Sequence, residues 1–100
     1  MENYTTEKTT IDGHVIEGIE MLDNDTCCLY FEDETEGDNI ITTTVEYWAD
    51  EDSWHFIDNI YDLDGTFLDH CDTERLTEEG KTKVMEYMKG LMKDLEELWQ

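Results

Sequence analysis

Ile40-Ile41-Thr42-Thr43-Thr44-Val45-Glu46-Tyr47-Trp48 runs into Ala49-Asp50-Glu51-Asp52 and then into Ser53-Trp54-His55-Phe56-Ile57-Asp58-Asn59-Ile60-Tyr61. Both long runs are dense in β-branched and aromatic residues, which suit a pleated, half-buried surface. In the first, Ile41, Thr43, Val45 and Tyr47 alternate with a more mixed set, the period of a strand with one buried face. The short polar connection makes the pair a hairpin.

The same pattern extends in both directions. Upstream, the polar run Asp33 to Asn39 leads back to Thr26 to Phe31, and Asp23-Asn24-Asp25 leads back to His14 to Leu22. Asp12-Gly13 separates that segment from Tyr4 to Ile11, and an Asp-Gly pair between β-prone runs is a strong hairpin signal. Downstream, Asp64-Gly65 bends into a short strand, Thr66 to Leu68. After Asp72 the period changes: Val84, Met88, Leu91, Leu95 and Leu98 follow steps of 4, 3, 4 and 3, flanked by Met85, Met92 and Trp99. That is an amphipathic helix, with Thr77 as N-cap, Glu78 and Glu79 in the first turn and Gly80 weakening it. The expected fold is α+β in a single domain, 1–100. An antiparallel β-meander of about five strands spans 1–70, and one C-terminal amphipathic helix within 73–100 packs on one face. The other face is expected to belong to the acids.

From Thr9 to Glu74 there is no Lys or Arg in 66 residues, while that stretch carries 20 Asp and Glu, so it supplies 20 of the 22 net negative charges. Solubility alone asks for a net charge of roughly 2 to 8 in a small domain. Crowded carboxylates repel, and a cationic partner is the simplest compensation. Apolar residues still make up 38% of the chain, including three Trp and five Tyr, enough for one core. There is no apolar run of membrane-spanning length and no signal-like start at Met1-Glu2-Asn3-Tyr4. The expected location is the cytoplasm. Three cysteines, two of them adjacent at Cys27 and Cys28, do not suggest a disulfide framework. Zero Pro, one Ala and one Arg beside seven Ile and five Lys fit an AT-rich genome.

Several short motifs invite a chemical reading. Ile60-Tyr61-Asp62-Leu63-Asp64-Gly65-Thr66 resembles the first motif of haloacid-dehalogenase-type phosphatases, which implies Asp62 as nucleophile and Asp64 as acid and base. That family needs a parallel α/β core and a later lysine, so an Asp-Gly turn within a meander is the expected structure. As a calcium loop the segment lacks ligands at its first and twelfth positions, Ile60 and Cys71. Asp69-His70-Cys71-Asp72 holds four ligand types, but consecutive residues do not converge on one ion, and a surface loop is expected. No catalytic spacing or glycine-rich phosphate loop is present, and the lack of basic residues excludes a conventional phosphate or nucleic-acid site. No enzyme activity, metal or cofactor is expected. Met85, Met88 and Met92 read as core, with an adaptable recognition groove as the alternative, and partial burial of that helix in a homodimer stays open.

Residues two apart on a strand lie about 6.6 Å apart on one face, close to the spacing of phosphates along a nucleic-acid strand. Glu32 and Glu34, Glu34 and Glu36, Glu36 and Asp38, Asp50 and Asp52, and Asp62 and Asp64 have that step. In size and charge density the chain resembles the small acidic DNA-mimic proteins of phages and mobile elements, among them anti-CRISPR and anti-restriction inhibitors. The resemblance implies occupation of the basic groove of a CRISPR effector or restriction nuclease, with no bond made or broken. An immunity protein or antitoxin against one basic toxin is the alternative, and weak divalent-cation binding a further one. The expected contacts are Glu32, Asp33, Glu34, Glu36, Asp38, Asp50, Glu51, Asp52, Asp58, Asp62, Asp64, Asp69 and Asp72. Trp48 and Trp54, which bracket the Asp50 turn, join them as aromatic anchors, with core packing of the two strands as the equal alternative.

Overall fold

The computed structural model describes residues 9–22 and 25–98, with side chains as far as Lys93. The strands are β1 (Thr10–Ile11), β2 (His14–Leu22), β3 (Thr26–Phe31), β4 (Glu34–Glu36), β5 (Asn39–Trp48), β6 (Ser53–Asp62) and β7 (Phe67–Asp72), followed by α1 (Glu78–Leu98). All pairings are antiparallel, in the order β1-β2-β3-β5-β6-β7, with β4 also on β5. β3 and β4 follow one another along the same side of β5: Thr26 to Tyr30 pair with Trp48 to Thr44, and Glu34 to Glu36 with Ile41 to Asn39. The α+β class is as expected. The strand count is higher because the polar run Asp33 to Asn39, expected as a turn, contains the short strand β4, which pairs with β5 beyond the break at Glu32 and Asp33.

Expectation and structure differ at the ends. Of the segment Tyr4 to Ile11, Thr10–Ile11 is a strand; Tyr4 to Lys8 lie outside the described residues, as do Asp23, Asn24 and Trp99, and the side chains of Leu95 and Leu98. The strand expected at Thr66 to Leu68 is Phe67–Asp72, so Asp69 to Asp72 is an edge strand and not a loop. The helix starts at Glu78, after Thr73 and Leu76 have folded into the core.

The core lies between α1 and one face of the sheet. Ile16, Cys27, Leu29, Phe31 and Val45 point toward the helix, and Leu76, Val84 and Met88 close over them. Leu29, Val45, Val84 and Met88 are fully buried, each contributing roughly 1.5–3 kcal/mol by leaving water. Met92 packs at the margin. The opposite face carries no second layer among the described residues. Accordingly the molecule is a slab of 46 × 42 × 26 Å exposing 6903 Å², against about 5,900 Å² for a compact chain of this mass. Among the described residues no helix is long and apolar enough to cross a membrane.

The β1–β2 hairpin docks on the start of the helix. Asp12 (φ 56°) and Gly13 (φ 82°) are both left-handed, the type I′ geometry that matches strand twist. This turn presents the Asp12 carboxylate to Thr77, whose N–H (2.8 Å) and hydroxyl (3.1 Å) both donate to Oδ2. Thr77 in turn accepts from the Gly80 N–H at 3.0 Å, as an N-cap should. Gly80 therefore has a use: a Cβ there would lie 2.5 Å from Asp12 Oδ2.

Candidate protein-interaction surface

In a meander the strand interiors belong to β-formers, and acids collect where the chain turns. Asp25 follows the β2–β3 turn, and Asp50, Glu51 and Asp52 form the β5–β6 turn; the Ala49 N–H donates to the Asp25 carbonyl (2.8 Å), which ties these two turns together. Glu36, Asp38, Asp62 and Asp64 lie at the opposite ends of the strands, while Glu32 and Asp33 sit at the break between β3 and β4, beside the middle of β5. The ten residues of β5 separate the two groups by about 30 Å, and turns within a group lie about 10 Å apart, two strand spacings. Asp33, Glu36, Asp38, Asp50, Glu51, Asp52 and Asp64 are all exposed.

The bare face is not the acidic face that was expected. The register gives it Glu20, Glu46 and Asp72 as acids, set among Cys28, Tyr30, Thr42, Thr44, Trp48, His55, Ile57, Asn59, Tyr61 and His70. Strand interiors resist like charges because directly opposed carboxylates repel. Here the acids are spaced by other residues: Glu20, Cys28, Glu46 and His55 follow one another across four strands. Tyr30 donates its hydroxyl to Glu20 (2.6 Å), which raises its pKa, and Trp48 Nε1 donates to Glu46 (2.8 Å). Burial, and then the Glu46 charge, push the Cys28 thiol up to about 11. Trp48 and His55 rings lie 4.1 Å apart. Ser53 Oγ and His55 Nε2 are 3.1 Å apart, but no carboxylate among the described residues orients the ring.

The expected contact residues divide by environment. Asp58 is a correction: it is 5% exposed and faces the helix side, accepting from Thr43 (2.7 Å) and the Glu74 N–H (3.3 Å). Its spacing from Trp54 and Phe56 places it on their buried face. Glu34 is engaged internally by Arg75 and His14 (2.6 Å to the latter), and the His14 hydrogen bond, then the Arg75 charge, hold its carboxyl below the usual range. Arg75 continues through Nη1 to the Ile41 carbonyl (3.2 Å) and Thr43 Oγ1 (2.9 Å), so one network joins His14, Glu34, Arg75, Thr43 and Asp58. Trp54 is half-buried and packs against the core. It pairs with Tyr47 at 4.7 Å on the core side, whereas Trp48 lies on the bare face.

Asp62 organises its own loop, accepting from the Asp64 and Thr66 N–H groups, both 2.9 Å. With Gly65 at φ 89° this is the expected turn inside the meander, and the phosphatase-like string has no parallel core around it. Asp52 accepts from the Tyr47 hydroxyl at 2.8 Å. β7 puts Asp69 and Cys71 on one face and His70 and Asp72 on the other, so these four do not converge. The described ion pairs join Glu34 to His14 and Arg75, and Lys81 and Lys83 to Glu78 and Glu79; none involves the exposed turn acids. Sequence reasoning missed Glu20, Glu46, Tyr30 and His55. The even-numbered positions of the Ile40 to Trp48 run were the signal for the bare face.

The chain matches no protein-family model, no curated protein and no solved structure.

Proposed function

We propose that this protein is an acidic decoy that occupies the basic nucleic-acid groove of a bacterial defence nuclease, a CRISPR effector or a restriction enzyme, and excludes its substrate. The observation that carries this reading is the pair of acidic strand ends held about 30 Å apart by a rigid sheet, whose exposed acids Glu36, Asp38, Asp64, Asp50, Glu51 and Asp52 enter no ion pair among the described residues. That separation is close to one turn of duplex DNA, about 34 Å, the distance at which phosphates again face the same side. Lysines and arginines placed to neutralise phosphates would meet carboxylates at both ends. Because the carboxylates are carried by a folded scaffold, little ordering entropy opposes binding. The mechanism is competition, with no cofactor and no bond chemistry.

The test is capture of a panel of CRISPR and restriction nucleases by the tagged protein, with DNA and salt as competitors. Asp50→Asn, Glu51→Gln and Asp52→Asn neutralise one end; Glu36→Gln, Asp38→Asn and Asp64→Asn neutralise the other. Either set weakens capture moderately and both together abolish it, while Glu79→Gln with Glu86→Gln on the helix has little effect. Wild-type binding by the doubly neutralised protein would sink the reading. A second reading, an immunity protein dedicated to one basic toxin, is favoured by the aromatic side chains of the bare face, Trp48 at its edge beside the Asp50 turn among them. There Trp48→Ala costs more than either acidic set, and DNA does not displace the target.

A further inference from the structure

Building on the decoy reading, we propose that the outer edge of β7 takes up an extended basic segment of the partner protein as an additional strand. Among the described residues β7 ends the sheet and pairs with β6 alone, and all six of its residues are exposed. The Thr73 N–H donates to the Phe56 carbonyl across the hairpin at 3.0 Å. Antiparallel alternation then turns the N–H and C=O groups of His70 and Asp72 away from β6. An edge of this kind is a template for another strand unless it is guarded. Asp69 supplies the local guard, accepting the His70 N–H at 2.8 Å.

The charge of the edge selects its occupant. A second β7 would crowd the Asp69 and Asp72 carboxylates of both copies along one seam, and like charges across a strand pair are destabilising. The strand contains no Lys and no Pro, the residues that guard an edge against every comer. Acids alone account for an edge closed to its own kind; they do not account for Leu63, Phe67 and Leu68, which are 58%, 51% and 51% exposed beside it. Apolar side chains set among Asp64, Asp69 and Asp72 fit a strand that carries both basic and apolar residues. Main-chain hydrogen bonds supply the affinity in such strand addition, and side chains the selectivity. Six residues of β7 offer about 20 Å of edge.

The experiment titrates the 15N-labelled protein with a capped peptide of alternating Lys and Val, an alternating Glu and Val control, and the Lys–Val peptide N-methylated on its hydrogen-bonding edge. The Lys–Val peptide is expected to bind and to slow amide exchange of His70 and Asp72 by about tenfold or more. The other two peptides should not do so. Because Asp69 and Asp72 lie on opposite faces of β7, an alternating peptide sets its lysines against one of them: one of Asp69→Asn and Asp72→Asn weakens binding about twofold, the loss of one cross-strand charge pair, and the other leaves it unchanged. Equal binding of the N-methylated peptide, or shifts confined to the acidic strand ends with no slowing in β7, overturns edge docking and leaves the decoy reading standing. If no basic peptide binds anywhere, both are overturned.

Discussion

A glycine in the first turns of a helix ordinarily weakens it by up to about 1 kcal/mol relative to alanine, and at position 80 the space where a methyl would go is filled by Asp12. Gly80→Ala is therefore expected to fall short of the usual gain, because the carboxylate must leave the Thr77 N–H. Gly90, where an added methyl would meet nothing within 4 Å, provides the contrast: Gly90→Ala should stabilise by about 0.5–1 kcal/mol. A urea-denaturation cycle with Asp12→Ala checks the account, since the two Gly80→Ala effects should then differ in sign or size. Asp12 also predicts a pH dependence. The Thr77 backbone hydrogen bond holds its carboxyl below the ordinary value, so the unfolded chain binds the proton more readily and the contribution is complete above the unfolded pKa of about 4. It fades as the pH falls through the lower folded value. The stability difference between wild type and Asp12→Asn should be present at neutral pH and vanish in strong acid; a constant difference would rule out the charge as its origin.

Arg75 lies just before α1 and joins it to three strands at once. Its guanidinium meets Glu34 of β4, and the Ile41 carbonyl and Thr43 hydroxyl of β5, while its own carbonyl faces His14 Nε2 of β2 at 2.9 Å. Arg75→Met keeps the bulk and removes the donors. It is expected to cost roughly 2–3 kcal/mol, less than for a fully enclosed ion pair because Glu34 is half exposed. Chemical denaturation reads the loss, and an unchanged midpoint would show that the network adds nothing. The elements themselves were largely legible. The alternation at Ile40 to Trp48 and Ser53 to Tyr61 found β5 and β6 to within a residue, and Asp12-Gly13 and Thr77 marked their turn and cap as observed. β7 was mostly hidden because an edge strand faces water on so many sides that Phe67, Leu68, Asp69 and His70 show no clean period. The burial of Asp58 was hidden for another reason. Its position on the core face follows from the register, but its tolerance there depends on Thr43 and the Glu74 amide, partners that only folding brings close.

At the scale of the molecule, the acids are grouped at strand ends, and many of their repulsions are directed through water. Screening should relieve that repulsion: between about 0.1 and 1 M sodium chloride the Debye length shrinks from about 10 to 3 Å. The melting temperature is expected to rise over this range, and a flat or falling profile would mean that the charges cost little in the folded state. The same salt should weaken capture by a basic partner, giving stability and binding opposite responses to one variable. Sequence reasoning located the charge but assigned it to a sheet face. The distribution over two strand ends required the pairing register, which decides which residues share a face and which lie beyond it.

Apart from the short β4, every neighbour in the sheet is also a neighbour along the chain, so the meander can assemble by adding one hairpin at a time with short loop closures. The seam from Asp12 to Thr77 and from His14 to Arg75 is different, joining residues 65 and 61 apart. Closing it late is the less costly order, because the sheet has by then brought its partners together. Asp12→Ala and Thr77→Ala should then speed unfolding and leave the refolding rate nearly unchanged, whereas truncations in the β5–β6 hairpin slow refolding. The last part of the molecule to form would be the one that first comes loose.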